Sequence, residues 1–537
     1  MPDTILARNL HTTLHNAVYG NNTMNRGKFF AMTRPGLPID VETNENDPTS
    51  LYMQSNILDR IIDVCYIARP KGGTVSATYA EWLDNTLVPN ATLDDAARLR
   101  LQRLENRLAE IQPTYNNHRR NYERARRAYK MENNKPPGIR NEARVAALLA
   151  DCASALEDWN TTGRRMECEN IAAQTRILGV ADTARTMQRL NANFNGLRRP
   201  APTPGTGTFV PTLLNPAVNH WNNENWTKIR LDVNDTDLPS EATEINWNGG
   251  TELNNGLWSV GGAIAGGETQ NNVDSNTSRA TIEMELLRVG VERDWLNMEV
   301  LTSGVWAWRN THPNEALSAG YDPTTHPPRA PHPRSLMPII GVEILVARNI
   351  RLNANFTRDR IDEVNKLRDT RVACGWGPFS ITGNYRTTSR EKQVSSREDN
   401  NVIVVETPQI VGFLCRIMPT LPNPDLSLPW PEKPRAVVDD PNYAAMVAEA
   451  NAMESARLRA ELQLAEERRA IMDMARNARI DAVERSRQAF RANLEEELRT
   501  AMIAGATTTE TRRSIPVTPT EAERGRRAGM PGTTPEH

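Results

Sequence analysis

The chain has 537 residues, enough for about three ordinary domains or for two plus extended helices. Its 64 Lys and Arg nearly cancel its 66 Asp and Glu, which excludes a histone-like polyelectrolyte; any attraction to nucleic acid or membrane must be local. Hydrophobic residues make up 39% and aromatic residues 5%, which suits elongated helices around a modest core better than one large globule.

Five cysteines (Cys65, Cys152, Cys168, Cys374 and Cys415) contain no CxxC pair, which argues against a disulfide framework or a structural zinc site. The start, Met1-Pro2-Asp3-Thr4, carries neither a basic leader nor an apolar run, and no stretch has the length of a membrane-spanning helix. The expectation is a cytoplasmic protein, with signal-independent export left open. There is no P-loop, GxGxxG, GxSxG or HExxH. His11 and His15 stand four apart, a spacing that can hold a metal on one helix face, but no third ligand is near them; His312, Asp322, His326 and His332 show neither HxH nor HExxH spacing. A protein without catalysis, cofactor or metal is therefore expected.

In chain order, residues 1–49 read as an N-terminal arm. Leu51, Ile57, Leu58, Ile61 and Ile62 recur at helical spacing, and a short helix follows around Tyr79. Thr92 is a candidate cap for a long helix. Along it Leu101, Leu104, Leu108, Ile111, Tyr115, His118, Tyr122, Ala125 and Tyr129 alternate at three- and four-residue steps, the seam of a coiled coil. Pro113 falls within it and should kink the helix or start a new one, although the phase survives it. After the break at Lys135-Pro136-Pro137-Gly138, Val145, Leu149, Cys152, Leu156 and Trp159 continue the spacing, which predicts an antiparallel helical hairpin. A third helix is expected over about 164–194, completing a helical region over 50–196.

The Pro- and Gly-punctuated stretch 197–216 reads as a linker. Beyond it the period changes to two, predicting a mainly antiparallel β domain over 217–420, a sandwich or open barrel. Ile282, Met284 and Leu286 alternate, then the phase slips onto Leu287, Val289 and Val291, the mark of a bulge or of a strand buried on both faces. Gly256–Gly267, a polar tip over Glu268–Ser278, and Ile282–Leu286 predict an amphipathic hairpin. A Pro-rich connector follows over 421–441. Residues 442–504 contain neither Gly nor Pro and predict one long C-terminal helix, and 505–537 a disordered tail. The fold class expected is α+β.

Two constellations point to function. Arg119, Arg120, Arg124, Arg126, Arg127 and Lys130 gather against the single acid Glu123, with tyrosines interleaved; guanidiniums beside aromatics suit anion contact. Trp221, Trp226, Trp247, Trp306 and Trp308 lie amid asparagines, a composition shared by glycan-contacting and membrane-interface surfaces and equally by tryptophan-filled cores. The expected function is binding or assembly, with the β domain recognising a ligand and the helices setting spacing or oligomeric state through self-association or another protein. The alternatives are a toxin-like protein inserting a β-hairpin into membranes, and an RNA or anionic-polymer binder acting through 118–130. On the seam reading, Leu108→Asp places a charge in a desolvated contact and should cost several kcal/mol. Helicity and solution mass measured together test it: both unchanged would refute the seam.

Overall fold

The computed structural model describes residues 2–19, 28–41, 47–62, 73–90, 93–135, 138–180, 182–202, 207–234, 257–260, 279–309, 316–320, 335–354, 356–386 and 391–431. All lie in the first of two compact units, Met1–Ser455; the second, Ala456–His537, falls outside the described residues. The expected long helix over 442–504 and the tail fall outside them too, as does the loop holding His312, Asp322, His326 and His332.

The first half carries α1 (Pro2–Tyr19), β1 (Lys28–Pro38), α2 (Pro48–Leu58), α3 (Val75–Asn85), β2 (Thr86–Leu87), α4 (Asp95–Asn133), α5 (Glu142–Asn160), α6 (Arg165–Val180) and α7 (Thr183–Leu197). Next come β3 (Arg199–Pro200), β4 (Thr208–Phe209), β5 (Leu213–Asn215), a 3-10 turn (Val218–Asn223), β6 (Thr227–Asn234), β7 (Trp258–Val260) and β8 (Arg279–Glu292). The remainder holds α8 (Met298–Leu301), β9 (Ala307–Trp308), β10 (Ser318–Ala319), β11 (Ile339–Asn353), α9 (Arg358–Asp369), β12 (Cys374–Trp376), β13 (Phe379–Thr382), β14 (Asn384–Arg386) and β15 (Glu391–Gln393). It closes with β16 (Ser396–Asp399), β17 (Val402–Val405), β18 (Gln409–Ile417) and β19 (Thr420–Leu421). The class is α+β.

The main sheet has eight strands in five antiparallel columns, because two strands share each of three columns. The long strands β8 and β11 pair at its centre. β18 and then β17 flank β11; β5 and β6 flank β8; β1 and β16 form the far column. The phase slip read in the sequence is a continuous β8 buried on both faces: Ile282, Met284 and Leu286 belong to one core, Leu287 and Val289 to the other. The bulge sits on the partner instead, where the β11–β8 register shifts between Arg348 and Arg351 and Asn349 takes φ +52.

Each sheet face carries a core. One is closed by α2, α3 and α7 through Leu58, Tyr79, Trp82, Met187, Leu190 and Phe194, with Trp221, Trp295 and Trp306 filling it. The other is closed by α1, whose Leu6, Leu10, Leu14 and Val18 form a fully buried four-residue stripe, and by the small β7–β12–β13 sheet. The Gln409 side-chain amide stitches that sheet to the large one, accepting from Ser380 N at 2.7 Å and donating to Ser380 O at 3.3 Å.

Several expectations are corrected. Residues 1–49 are not an arm: α1 is buried and β1 pairs with β18, because both carry apolar faces the sheet must cover. Stretch 197–216 does not separate one core from another, since α2, α3 and α7 share a core with β8, β11 and β18 and β5 lies in the sheet. The third helix is two, broken where Asp182 caps α7 by accepting from Arg185 N. The cap of α4 is Asp94, accepting from Ala97 N at 2.7 Å, not Thr92. Trp258–Val260 pairs with β12, and the rest of the first arm and the tip of the expected hairpin, 261–278, fall outside the described residues. Helix α9 went unforeseen, although Ile361 and Val364 bury one side of it.

Helix α4 runs unbroken through Pro113 for 39 residues. Its seam residues separate by partner. Leu104, Leu108, Ile111 and Tyr115 pack on Cys168 and Ile171 of α6, while Tyr115 and Tyr122 place their rings 5.5 and 5.4 Å from Trp159 of α5. Leu101 is buried and Tyr129 half-buried. On α5, Leu149 is half exposed and its neighbour Leu148 is the buried residue. Trp306 is fully buried, with Trp82 and Trp308 edge-on to it. Trp306→Ala should therefore cost about 3–5 kcal/mol in denaturant unfolding, and Trp308→Ala markedly less. Equal small losses would contradict the core placement.

Candidate functional site

The basic face of α4 divides by its own periodicity. Arg120, Arg124 and Arg127 lie at i, i+4 and i+7 and point one way. Arg120 pairs with Glu292 and, at 3.4 Å, with Asp294; Arg124 reaches Glu224 at 3.6 Å; Arg127 Nη2 donates to Asn215 O at 2.7 Å. These three bind the helix to the end of β8, to β5 and to the turn beyond it. Arg127 goes deepest, at 8% exposed, and lies over Gly290 of β8. A Cβ at 290 would stand 3.0 Å from its Nη1, so glycine is what lets the guanidinium settle against the strand. Burial pulls the Arg127 pKa down, partly offset by Glu343.

On that face of β8 the two-residue period passes from Ile282, Met284 and Leu286 to Arg288, Gly290 and Glu292. Arg288 forms a two-pronged pair with Glu343 of β11, Nε at 3.1 Å and Nη2 at 2.7 Å to one oxygen, and its guanidinium lies 4.6 Å from the Tyr19 ring centroid. Their side chains are only 7% and 14% exposed, so the pair is nearly dry. Burial alone would raise the Glu343 carboxyl; Arg288 and Arg127 outweigh it and hold it below the usual carboxylate range. Arg293 donates to Gly341 O at 2.6 Å and Leu58 O at 2.7 Å, and burial draws it down to about 10.

Between α4, the end of α1 and this charged region of the sheet lies a cleft of about 500 Å³. Eight cationic side chains line it against four acidic ones. Every acid is engaged: Glu123 by Arg119 at 3.9 Å, Glu292 and Asp294 by Arg120, Glu343 by Arg288. Lys28, Arg126, Lys130 and Arg416 form no ion pair with any described residue. Lys28 stands directly opposite Arg416 in the β1–β18 register, a like-charge pairing that costs stability. Arg126 and Lys130 lie one helical turn apart. Burial, then the charges of Arg126, Arg288 and Lys28, pull the Lys130 amine below an ordinary lysine. No Ser, Thr or Cys lines the cleft, and burial lowers the pKa of His15 at its rim. Chemically the arrangement can hold a multivalent anion; it offers no nucleophile with a base.

Of the six basic residues singled out from sequence, Arg119, Arg126, Arg127 and Lys130 line this cleft, while Arg120 and Arg124 do not because they anchor the helix. The tryptophan surface is corrected. Trp221, Trp226 and Trp306 are at most 7% exposed, with their indoles donating to the carbonyls of Pro216, Trp221 and Leu301. Both ends of these rings are satisfied inside the protein. Trp308 is half-buried, and Trp247 lies outside the described residues, as do residues 261–278 of the expected membrane-inserting hairpin. Lys28, Arg288, Glu343 and Arg416 escaped the sequence reading; the one signal was a charge interrupting each of three apolar strands. A second cavity of about 510 Å³ lies among α4, α6 and α7. Its charged groups are already matched, Glu169 by Arg165 at 2.9 Å and Arg189 by Glu105.

No protein-family model matches the chain, and neither a curated protein nor a solved structure is significantly similar to it.

The buried pair has a definite pH signature. Because the folded state lowers the Glu343 pKa, its contribution is complete above the unfolded value, about 4.3, and is lost as pH falls through the lower folded value. Glu343→Gln should flatten that region of the stability–pH curve and cost about 3–5 kcal/mol at neutral pH by stranding Arg288. Urea unfolding from pH 3 to 7 checks both; an unchanged slope would contradict the pairing.

Proposed function

We propose that this chain is a binding protein without catalytic machinery, and that it recognises an anionic partner in the cleft between α4 and the sheet. One observation carries the reading: Lys28, Arg126, Lys130 and Arg416 converge there with no ion pair to any described residue, and Glu343, the acid whose charge reaches Lys28 and Lys130, is already paired with Arg288. Positive charge crowded in this way destabilises the free protein, and a bound anion relieves it. The buried guanidiniums beneath, each held by a carbonyl or carboxylate, keep the site formed before the ligand arrives. Tyr122 packs on Trp159 of α5, which supports assigning anion contact to the basic residues.

Arg416→Glu separates function from stability. It turns the Lys28–Arg416 pair into opposite charges, so stability should hold or rise by ~0.2–1 kcal/mol. Binding should fall by about tenfold or more. Titration of the full chain with pyrophosphate, inositol hexakisphosphate, heparin and single-stranded RNA reads the outcome. At least one should bind, weakening on the order of 10²-fold between 50 and 200 mM salt if four cations engage it. No binding by any of them, or binding indifferent to Arg416→Glu, would refute the reading.

A further inference from the structure

Resting on that reading of the cleft, we infer that its ligand is compact: several phosphate groups clustered on one small scaffold, not a stretch of charged polymer. The unmatched cations do not form a track. Lys28 and Arg416 sit side by side across two strands, their Cβ atoms roughly 5 Å apart, and Arg126 and Lys130 sit one turn apart on the helix above, about 5–6 Å. Two pairs thus line one half-open cleft of about 500 Å³, one from the sheet and one from the helix. That volume falls within the range of small-molecule sites, and two such pairs suit phosphates that radiate from a ring or short chain. A linear chain needs cations in a row, and here the row along α4 is interrupted because Arg120, Arg124 and Arg127 are already bound to the protein.

A nucleic-acid strand would also need faces on which to stack its bases. The aromatic rings that line the cleft are already engaged. Arg288 covers Tyr19, His15 stacks on His11, and Phe30 is 2% exposed. What remains is a basic cup over a fixed floor, with two arginine forks able to take phosphate oxygens in pairs and two lysines acting as point charges. A headgroup projecting from a membrane and a free metabolite share this chemistry.

Calorimetry with the full chain tests the inference. Inositol hexakisphosphate should bind with a stoichiometry of one and compete away any bound heparin. Lys130→Gln and Arg416→Glu should each weaken it roughly tenfold to a hundredfold, with circular dichroism confirming an unchanged fold. Lys28→Gln, at an exposed position, serves should Lys130→Gln fail to fold. A second arm uses phosphatidylcholine vesicles with and without phosphatidylinositol 4,5-bisphosphate. Capture by the bisphosphate vesicles that inositol hexakisphosphate reverses assigns the phosphates to a lipid headgroup; no capture alongside binding in solution assigns them to a free ligand. Heparin or RNA binding through the same residues while inositol hexakisphosphate does not bind would overturn the compact ligand and leave the anion site standing. Failure of every anion would remove both.

Discussion

A guanidinium withdrawn from water organises this molecule. Arg127 reaches down from the C-terminal third of a 39-residue helix onto the face of the central sheet, where Gly290 leaves room for it and Asn215 O receives it. Desolvating a charge costs several kcal/mol unless partners surround it, and here they come from three strands: the Asn215 carbonyl of β5, Glu292 of β8 and Glu343 of β11. The contact fixes the rotation of α4 about its axis. Once Arg127 faces the sheet, Arg120 and Arg124 must meet Glu292 and Glu224, and Arg126 and Lys130 must turn into the cleft. The same rotation carries Tyr115 and Tyr122 to Trp159, so hairpin packing and cleft chemistry follow from one docking geometry.

The sheet prepares its side of that geometry by a change of character along single strands. On β8 the inward positions are apolar through Leu286 and charged from Arg288 onward; on β11, Glu343 stands two residues before the buried Leu345. Helix α1 covers the apolar stretch, and α4 crosses the charged one. Most of the ionic groups at the crossing are matched, as buried charges must be. The exceptions gather where solvent still enters, and Lys28 opposite Arg416 violates the ordinary rule for cross-strand pairs. Local violations without structural compensation are what a binding site costs its fold.

Much of this was legible in the sequence. The α+β class, the long helix and its hairpin partner, and the main strands follow from periodicity, and the basic stretch 118–130 did contain four of the eight cations of the cleft. The other half was hidden because β-sheet neighbours are distant in sequence: Lys28 and Arg416 meet only through register, and a lone Arg288 within an apolar run says nothing of its partner. The N-terminal segment misled because its amphipathic helix and strand are separated by polar residues that read as an arm, yet each buries its apolar side. The tryptophans misled for a different reason. Their asparagine-rich surroundings suggested an exposed surface, but composition does not reveal that Pro216, Trp221 and Leu301 carbonyls are positioned to accept the indole N–H groups inside the core.

The charge imbalance over the cleft can be read from one atom. Eight lysines make an isotope-edited titration of their side chains tractable, and Lys130 reports on the site because Arg126, Arg288 and Lys28 surround it. In the free protein its amine should lose its proton clearly below the ordinary lysine value of about 10.4, and adding a polyphosphorylated anion should move it back up. A Lys130 amine that titrates at or above the ordinary value, and that ignores the anion, would contradict the account.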